Sequence, residues 1–250
     1  MRYFIELSYN GKAYHGWQNQ PNEISVQEVL EKALSTLLRE TIAIVGAGRT
    51  DAGVHAKQMF AHFDTNVEFL AEDLIYKLNS FLPKDIAIHS VFQVSSDAHA
   101  RFNALSRSYV YKISLTKNVF DYNYSYNFNL PLDVDVMNKA CKVLFDYENF
   151  KCFSKSNTDV KTYNCNIMNA EWVKENETLI FSITANRFLR NMVRAIVGTM
   201  MEVGLGKISI EQFHNIITSQ DRSKAGASVP GHGLYLTKID YPNHILKVND

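Results

Sequence analysis

The sequence predicts an α+β protein made of two units, in which helices pack on mainly antiparallel sheets. In the first part of the chain, apolar residues recur with periods of two and 3.6 in the order β-α-β-β-α-β, the split βαβ pattern of ferredoxin-like units. The second part combines strand and helix patterns in a similar but looser way. We therefore expect two α+β domains, at residues 1–104 and 105–250, whose sheets could be continuous.

Each element of the first domain follows from a local pattern. In RYFIELSY, Tyr3, Ile5 and Leu7 alternate with Phe4, Glu6 and Ser8. This period of two predicts a strand that starts almost at the first residue. SVQEVLEKALSTLLRE predicts a helix, because Ser25 and Glu28 have capping-box spacing and apolar residues recur on one face. TIAIV, QMFAHFDT and DIAIHSVFQV predict strands, and the segment from about Ala71 to Ser80 predicts a helix.

In the second domain, SRSYVYKISL predicts a strand and DVDVMNKACKVLF a helix. YNCNIMNAEWVKENETLIFSITAN predicts a hairpin that turns at Glu175–Glu177. Two helices, LRNMVRAIVGTMMEVG and SIEQFHNIITSQ, and a closing strand, GLYLTKIDY, complete the pattern. DYNYSYNF has aromatic residues at alternate positions, which predicts the aromatic face of a strand that serves packing or subunit contact.

The composition excludes several classes of protein. A hydrophobic fraction of 46% and a charged fraction of 21% are ordinary for a soluble globular protein. The net charge of 0 means that any site for nucleic acid must depend on locally clustered positive charge. Three cysteines without a CxxC pair indicate neither a disulfide framework nor a zinc site. No signal peptide or membrane-spanning apolar run is found, so we expect a cytoplasmic protein.

A glycine-rich stretch, GAGRTDAGVHA, follows the short strand TIAIV. It lacks the Lys followed by Ser or Thr of a Walker A loop and the spacing of a dinucleotide fingerprint, and a strand pattern follows it. His55 and His62 would lie on opposite faces of that strand, with no Glu or Cys to complete a ligand set. The stretch therefore predicts neither a nucleotide site nor a metal site.

Asp51, within this stretch, has two interpretations. An Asp beside glycines is commonly a turn former that hydrogen-bonds its own backbone. Arg49, however, is a permanent cation two residues away that can hold a carboxylate ionised, and the glycines let a ligand approach the backbone closely. A lone ionised Asp suits nucleophilic or proton-abstracting chemistry that needs no metal.

Two other segments contain basic residues with functional potential. In ARFNALSRSYVYK, Arg101 and Tyr109 offer the cation and the ring that recognition of a flipped-out base requires, although we expect one of Tyr109 and Tyr111 simply to pack in a sheet. In NRFLRNMVRAIVG, a stripe of Arg187, Arg190 and Arg194 is predicted on one helical face. Arg194 lies among apolar neighbours, so we expect it to have a carboxylate partner.

Several long motifs occur in order along nearly the whole chain: YNGKAYHGWQNQP, GRTDAGVHA, NSFLPKDIAI, HARFNALSRSYVYKI, FLRNMVRAIVGTMMEVG and DRSKAGASVPGHGLYL. Together they resemble the TruA-type tRNA pseudouridine synthases. The resemblance implies isomerisation of uridine to pseudouridine at positions 38, 39 and 40 of the tRNA anticodon stem-loop, without a cofactor. It also implies a homodimer of chains that each contain two ferredoxin-like or RRM-like domains, one extended, mainly antiparallel sheet and a central active-site cleft.

The resemblance also implies roles for single residues. Asp51 matches the family's catalytic aspartate, and Arg49 matches the neighbouring arginine that follows the target base during flipping. Tyr109 matches the tyrosine that stacks on the target base, and Arg194 the basic residue that pairs with the aspartate. Arg101 is expected to be a further substrate contact. Three first steps are compatible with one carboxylate: attack on C1′, addition to the uracil ring, and abstraction of a sugar proton.

The sequence departs from the family pattern in three places that bear on RNA contacts rather than on the chemistry. Gln58–Phe60 replaces the common Gly-Gln-Val, Arg187 stands where a small residue is usual, and Ser228–Val229 replaces Thr-Ala. Two rival functions are an RNA-binding module or tRNA chaperone without activity, and a nucleotide-dependent metabolic enzyme. The second is disfavoured by the glycine spacing.

Overall fold

The computed structural model describes residues 1–156 and 160–246. The first compact unit contains Met1–Ser106 and the described part of Leu236–Asp250, and the second is Arg107–Tyr235. The chain therefore returns to the first unit after it has completed the second. Both units contain strands and helices, which confirms the α+β class. Within the described ranges, no helix has the length and apolar character needed to cross a membrane.

The strands and helices lie close to their predicted positions. The strands are β1 (Arg2–Tyr9), β2 (Ile44–Gly46), β3 (His55–Asp64), β4 (Ile86–Val94), β5 (Ser106–Ser114), β6 (Tyr126–Asn127), β7 (Ile167–Glu175), β8 (Thr178–Ala185) and β9 (Leu234–Asp240). The helices are α1 (Val26–Leu38), α2 (Ala71–Phe81), α3 (Val134–Val143), α4 (Met192–Gly204), α5 (Ile210–Ser219) and α6 (Asn243–Leu246).

The first unit has the predicted order β1-α1-β2-β3-α2-β4. Its sheet has the strand order β4-β1-β3-β9, and β2 pairs with β3. Strand β1 is antiparallel to both of its neighbours, so that Ile5 lies opposite Ala61 on one side and Val91 on the other. All three of these side chains are buried, because a central strand has little contact with solvent.

Helix α1 forms for the reason that the sequence indicates. The Ser25 Oγ accepts a hydrogen bond from the Glu28 backbone N–H at 3.1 Å, which satisfies a donor that the first turn leaves without a helical partner. The apolar face of the helix, which includes Leu30 and Leu34, is fully buried. The predicted helix and its N-cap are therefore confirmed.

The second unit has strands in the order β5-β8-β7, with β6 beside β5. Tyr111, Phe181 and Trp172 lie opposite one another across these three strands, and the Trp172 ring stacks on Phe181 with centroids 4.9 Å apart. The Trp172 Nε1 donates to the Met200 sulfur of α4 at 3.4 Å. The predicted hairpin is confirmed, and its turn contains Asn176 in the left-handed region at φ 53°.

Two predictions for the second unit are wrong. DYNYSYNF forms no long strand: only Tyr126 and Asn127 pair with β5, and Tyr122 is 72% exposed. Asp121 closes a turn instead, because its carbonyl accepts hydrogen bonds from the N–H groups of Tyr124 and Ser125 at 2.8 and 3.0 Å. Such turns compete with strand pairing where Asp and Asn are frequent.

The second error concerns the arginine stripe. Helix α4 begins at Met192, so Arg187 and Arg190 precede it, and only Arg194 lies within the helix. Asn191, at the N-cap, has a left-handed backbone with φ 67°. This conformation is incompatible with a helix that continues back to Leu189.

Candidate functional site

Asp51 lies in the turn that joins β2 to β3. The Asp51 carbonyl accepts a hydrogen bond from the Val54 N–H at 3.2 Å, and Gly53 has a φ of 75°, which a residue with a Cβ rarely adopts. The Asp51 side chain is half-buried, and that of Arg49 is exposed. The turn-forming interpretation therefore holds for the Asp51 backbone.

The segment between Tyr9 and Trp17 fixes this turn from both sides. Thr50, just before Asp51, accepts a hydrogen bond from the Trp17 N–H at 3.2 Å, and its hydroxyl pairs with that of Tyr9 at 2.8 Å in a buried position. On the other side of Asp51, the Gly53 N–H donates to the Tyr14 carbonyl at 3.3 Å. The backbone around Asp51 is thus held by a segment distant in sequence.

Two glycines make this close contact between segments possible. A Cβ on Gly16, whose φ is 99°, would lie 2.4 Å from the Thr50 carbonyl oxygen. A Cβ on Gly11 would lie 2.0 Å from the Val54 carbonyl oxygen. Sequence reasoning missed this supporting role, although the two glycines in YNGKAYHGW were a signal for close backbone approach.

The supporting segment is itself anchored in the first unit. The Tyr14 hydroxyl donates to the Asp85 carboxylate at 2.6 Å, and burial together with this bond raises the pKa of Tyr14. The buried His55 ring, through Nδ1, accepts a hydrogen bond from the Gly11 N–H at 3.1 Å. His55 is the first residue of β3.

Tyr109 lies on β5 in the second unit, opposite Ile183 of β8. Its half-buried ring meets the Phe188 ring edge to face, with centroids 5.2 Å apart. Tyr111, two residues later, is fully buried and donates its hydroxyl to the Pro230 carbonyl at 2.9 Å. Of these two tyrosines, Tyr111 is therefore the packing residue, and Tyr109 keeps part of its surface accessible.

Arg194 lies in the first turn of α4, half-buried. Its Nε donates to the Val229 carbonyl at 2.7 Å, and the Val229 N–H donates back to the Arg194 carbonyl at 3.2 Å. The charge of Arg194 acts on two neighbouring groups. Together with the larger effect of burial it lowers the pKa of the half-buried His232, and it opposes the rise that burial causes in the pKa of the buried Tyr111. The expected carboxylate partner of Arg194 stays a prediction.

Arg101 lies on an exposed turn of the first unit. Its backbone N–H donates to His99 Nδ1 at 3.1 Å, and its Cζ lies 5.7 Å from the centroid of the Phe102 ring. The first unit thus carries Arg49, Asp51 and Arg101, and the second carries the other two predicted site residues.

Possible metal ligands and the cysteine thiols are the other reactive groups in the described part of the chain. Residues 1–156 and 160–246 contain no group of three His, Cys, Asp or Glu side chains arranged to hold a metal ion. Burial raises the pKa of the Cys141 and Cys152 thiols to about 12 and that of Cys165 to about 11. At neutral pH these thiols are protonated and therefore weakly nucleophilic.

The sequence matches the tRNA pseudouridine synthase family over residues 7–103 and 140–242. This chain belongs to that family. The matched ranges contain the Asp51 turn, its supporting segment and the first turn of α4 with Arg194. Tyr109 lies between the two ranges.

Several relatives match all or nearly all of the chain. The tRNA pseudouridine synthase A of Parabacteroides distasonis is 53% identical to it, and the alignment covers 100% of this chain and 99% of the relative. The protein of that name from Bacteroides fragilis is 54% identical over 98% of both chains. A more distant relative of the same name, from Thermoanaerobacter sp., is 42% identical over 95% of this chain and 98% of its own.

Proposed function

We propose that this protein isomerises uridine to pseudouridine at positions 38, 39 and 40 of the tRNA anticodon stem-loop, with Asp51 as the catalytic group and no cofactor. One observation carries the proposal: in a member of this family, the half-buried Asp51 carboxylate is presented by a turn whose backbone is held on both sides. A pinned backbone orients a reacting group before the substrate arrives.

The reaction requires little besides positioning and one group that can attack and leave. The N1–C1′ bond breaks, the uracil turns, and a C5–C1′ bond forms while the C5 proton is lost and N1 gains a proton, so the substrate's atoms balance. An ionised Asp51 fits attack on C1′, addition to the ring or abstraction of a sugar proton. In each case the detached or distorted base must be kept from solvent until the new bond forms.

The other predicted residues have complementary roles in this proposal. Tyr109 stacks on the target uracil, for which its half-buried ring, braced edge-on by Phe188, is suited. Arg194 pairs with the catalytic carboxylate, and the Val229 carbonyl restricts the plane of its guanidinium. The exposed Arg49 follows the base as it leaves the stack, and Arg101 contacts the RNA.

The direct test replaces the carboxylate. Asp51→Asn preserves the size of the side chain and removes its charge, so we expect tRNA binding within about twofold of the wild type and no tritium release from tRNA labelled at uracil C5. Asp73→Asn makes the same change at an exposed position on α2 and should leave release unchanged. Normal release from Asp51→Asn would overturn the assignment of Asp51.

The rival RNA-binding module or chaperone predicts tRNA binding without tritium release even in the wild type, so the same assay separates it.

We also propose a cytoplasmic homodimer. The net charge of 0 supports it, because a second copy can complete a basic groove that one neutral chain does not supply. Sedimentation at micromolar concentration would show a monomer if this part of the proposal is wrong.

A further inference from the structure

A projecting turn of the first unit, His99–Asn103, carries a row of aromatic rings from the interior to the surface. The buried His62 ring lies 4.7 Å from the His99 ring, and the His99 ring lies 4.2 Å from that of Phe102. The Arg101 Cζ is 5.7 Å from the Phe102 centroid, within range of a cation–π contact. Phe102 itself is 74% exposed.

The turn is firmly attached to the core. The Ala100 N–H donates to His62 Nδ1 at 3.2 Å, and the Ala100 carbonyl accepts from the Tyr241 hydroxyl at 2.5 Å. Within the turn, the His99 N–H donates to Asn103 Oδ1 at 2.6 Å. Since Ala100 is itself fully buried, the turn cannot move inward to cover the Phe102 ring without breaking these bonds.

An exposed ring that is fixed in place contributes little to the core and is available to a ligand. We propose that Phe102, with Arg101 beside it, stacks on an unpaired nucleotide of the tRNA substrate. A ring for the base and an adjacent guanidinium for the phosphate are the two parts that single-stranded RNA recognition requires. This inference rests on the proposed function, because it takes tRNA as the ligand.

The nucleotide bound here is not the uridine that is isomerised. A base detached from its ribose must be enclosed and shielded from water, which a ring that is three-quarters exposed cannot do. The half-buried Tyr109 suits that task better. Phe102 therefore holds a neighbouring unpaired nucleotide and helps to fix the position of the RNA. A second copy of this chain is the rival occupant of the ring, and the experiment below distinguishes it.

The experiment measures equilibrium binding of an unmodified tRNA substrate in the Asp51→Asn background, so that turnover does not interfere. Phe102→Ala and Phe102→Leu should each raise the Kd by about tenfold, within the range of about 5- to 150-fold expected for loss of one stacked base. Phe102→Trp should stay within about twofold of the parent, because it keeps an aromatic face. Tyr76→Ala is the matched control: Tyr76 is 75% exposed in the same unit, and its loss should leave the Kd unchanged.

Salt dependence separates the two halves of the site. Phe102→Ala should leave the slope of log Kd against log salt unchanged, whereas Arg101→Gln should reduce it by about 0.7–0.9, the contribution of one phosphate contact. Unchanged affinity in Phe102→Ala, or equal affinity of the Leu and Trp variants, would overturn the proposal. A change in sedimentation with Phe102→Ala would assign the ring to contact between copies. Failure of the proposed function appears separately, as absence of tritium release from the wild-type protein.

Discussion

Gly16→Ala tests whether the supporting segment positions Asp51. The added Cβ would lie 2.4 Å from the Thr50 carbonyl oxygen, whereas real Cβ contacts stay beyond 3.0 Å and are ordinary from 3.4 Å. The Thr50 carbonyl must therefore retreat by about 0.6–1.0 Å. Because Thr50 directly precedes Asp51, the Asp51 carboxylate is expected to move with it.

Two effects of this change can be estimated. Misplacement of a reacting group by about 1 Å costs on the order of 100-fold in rate, so we expect kcat to fall by about 10- to 100-fold. The alanine must also adopt a φ of 99°, outside the regions favoured by L-residues. This strain and the steric overlap together should lower the free energy of unfolding by about 2–4 kcal/mol.

The assay is single-turnover tritium release with enzyme in excess, accompanied by urea unfolding. Gly206→Ala is the control for backbone strain, since Gly206 has a φ of 69° with open space around its Cβ position. It should lose about 1–2 kcal/mol of stability and no activity. Gly48→Ala lies within the Asp51 motif but also meets open space and should preserve activity. A wild-type single-turnover rate constant in a folded Gly16→Ala protein would refute the positioning argument.

Two further predictions concern pH and charge geometry. Burial, with the nearby charges of His99 and Arg2, lowers the pKa of His62 from its ordinary 6.5 to about 4, so the unfolded chain binds a proton between these values that the folded chain does not. The free energy of unfolding should therefore fall by about 3 kcal/mol as the pH drops from 6.5 to 4. His62→Asn keeps an acceptor but does not titrate, so it should lack this component. If urea unfolding gave the same change in free energy with pH for both proteins, the prediction would be contradicted. Arg194→Lys keeps the charge but loses the Nε donor to the Val229 carbonyl. We therefore expect kcat to fall by about 10- to 100-fold with little change in stability. Tritium release at the wild-type rate would instead show that the charge alone suffices.

Most helices and strands could be predicted because their signals are local. Three signals that each span only a few residues agree with the structure: the capping serine of α1, the alternation in β1 and the turn at Glu175–Glu177. The two errors occurred where other local signals competed with periodicity. Asp121 favoured a turn over a strand, and the left-handed Asn191 delayed the start of α4.

The glycines of the GAGRTDAGVHA stretch show where local reasoning ends. In the sequence, Gly46, Gly48 and Gly53 look alike. In the structure, a Cβ on Gly46 would lie 2.4 Å from the Trp17 indole nitrogen, and a Cβ on Gly48 would meet nothing within 4 Å. Gly53 differs again, because its φ is 75°. The difference depends on a segment about thirty residues away, which no local pattern describes.

The sequence by itself determined the order of elements, the family and the candidate residues, because hydrophobic periodicity, capping and long motifs are written in neighbouring residues. Only the tertiary structure decided how those residues are held. Contacts between distant segments hold the Asp51 turn through Tyr9 and Trp17 and place the Val229 carbonyl on Arg194. The tertiary structure likewise decides that the Phe102 ring is exposed. Such contacts depend on chain packing in three dimensions, where steric fit and hydrogen-bond geometry select one arrangement among many that the same local patterns allow.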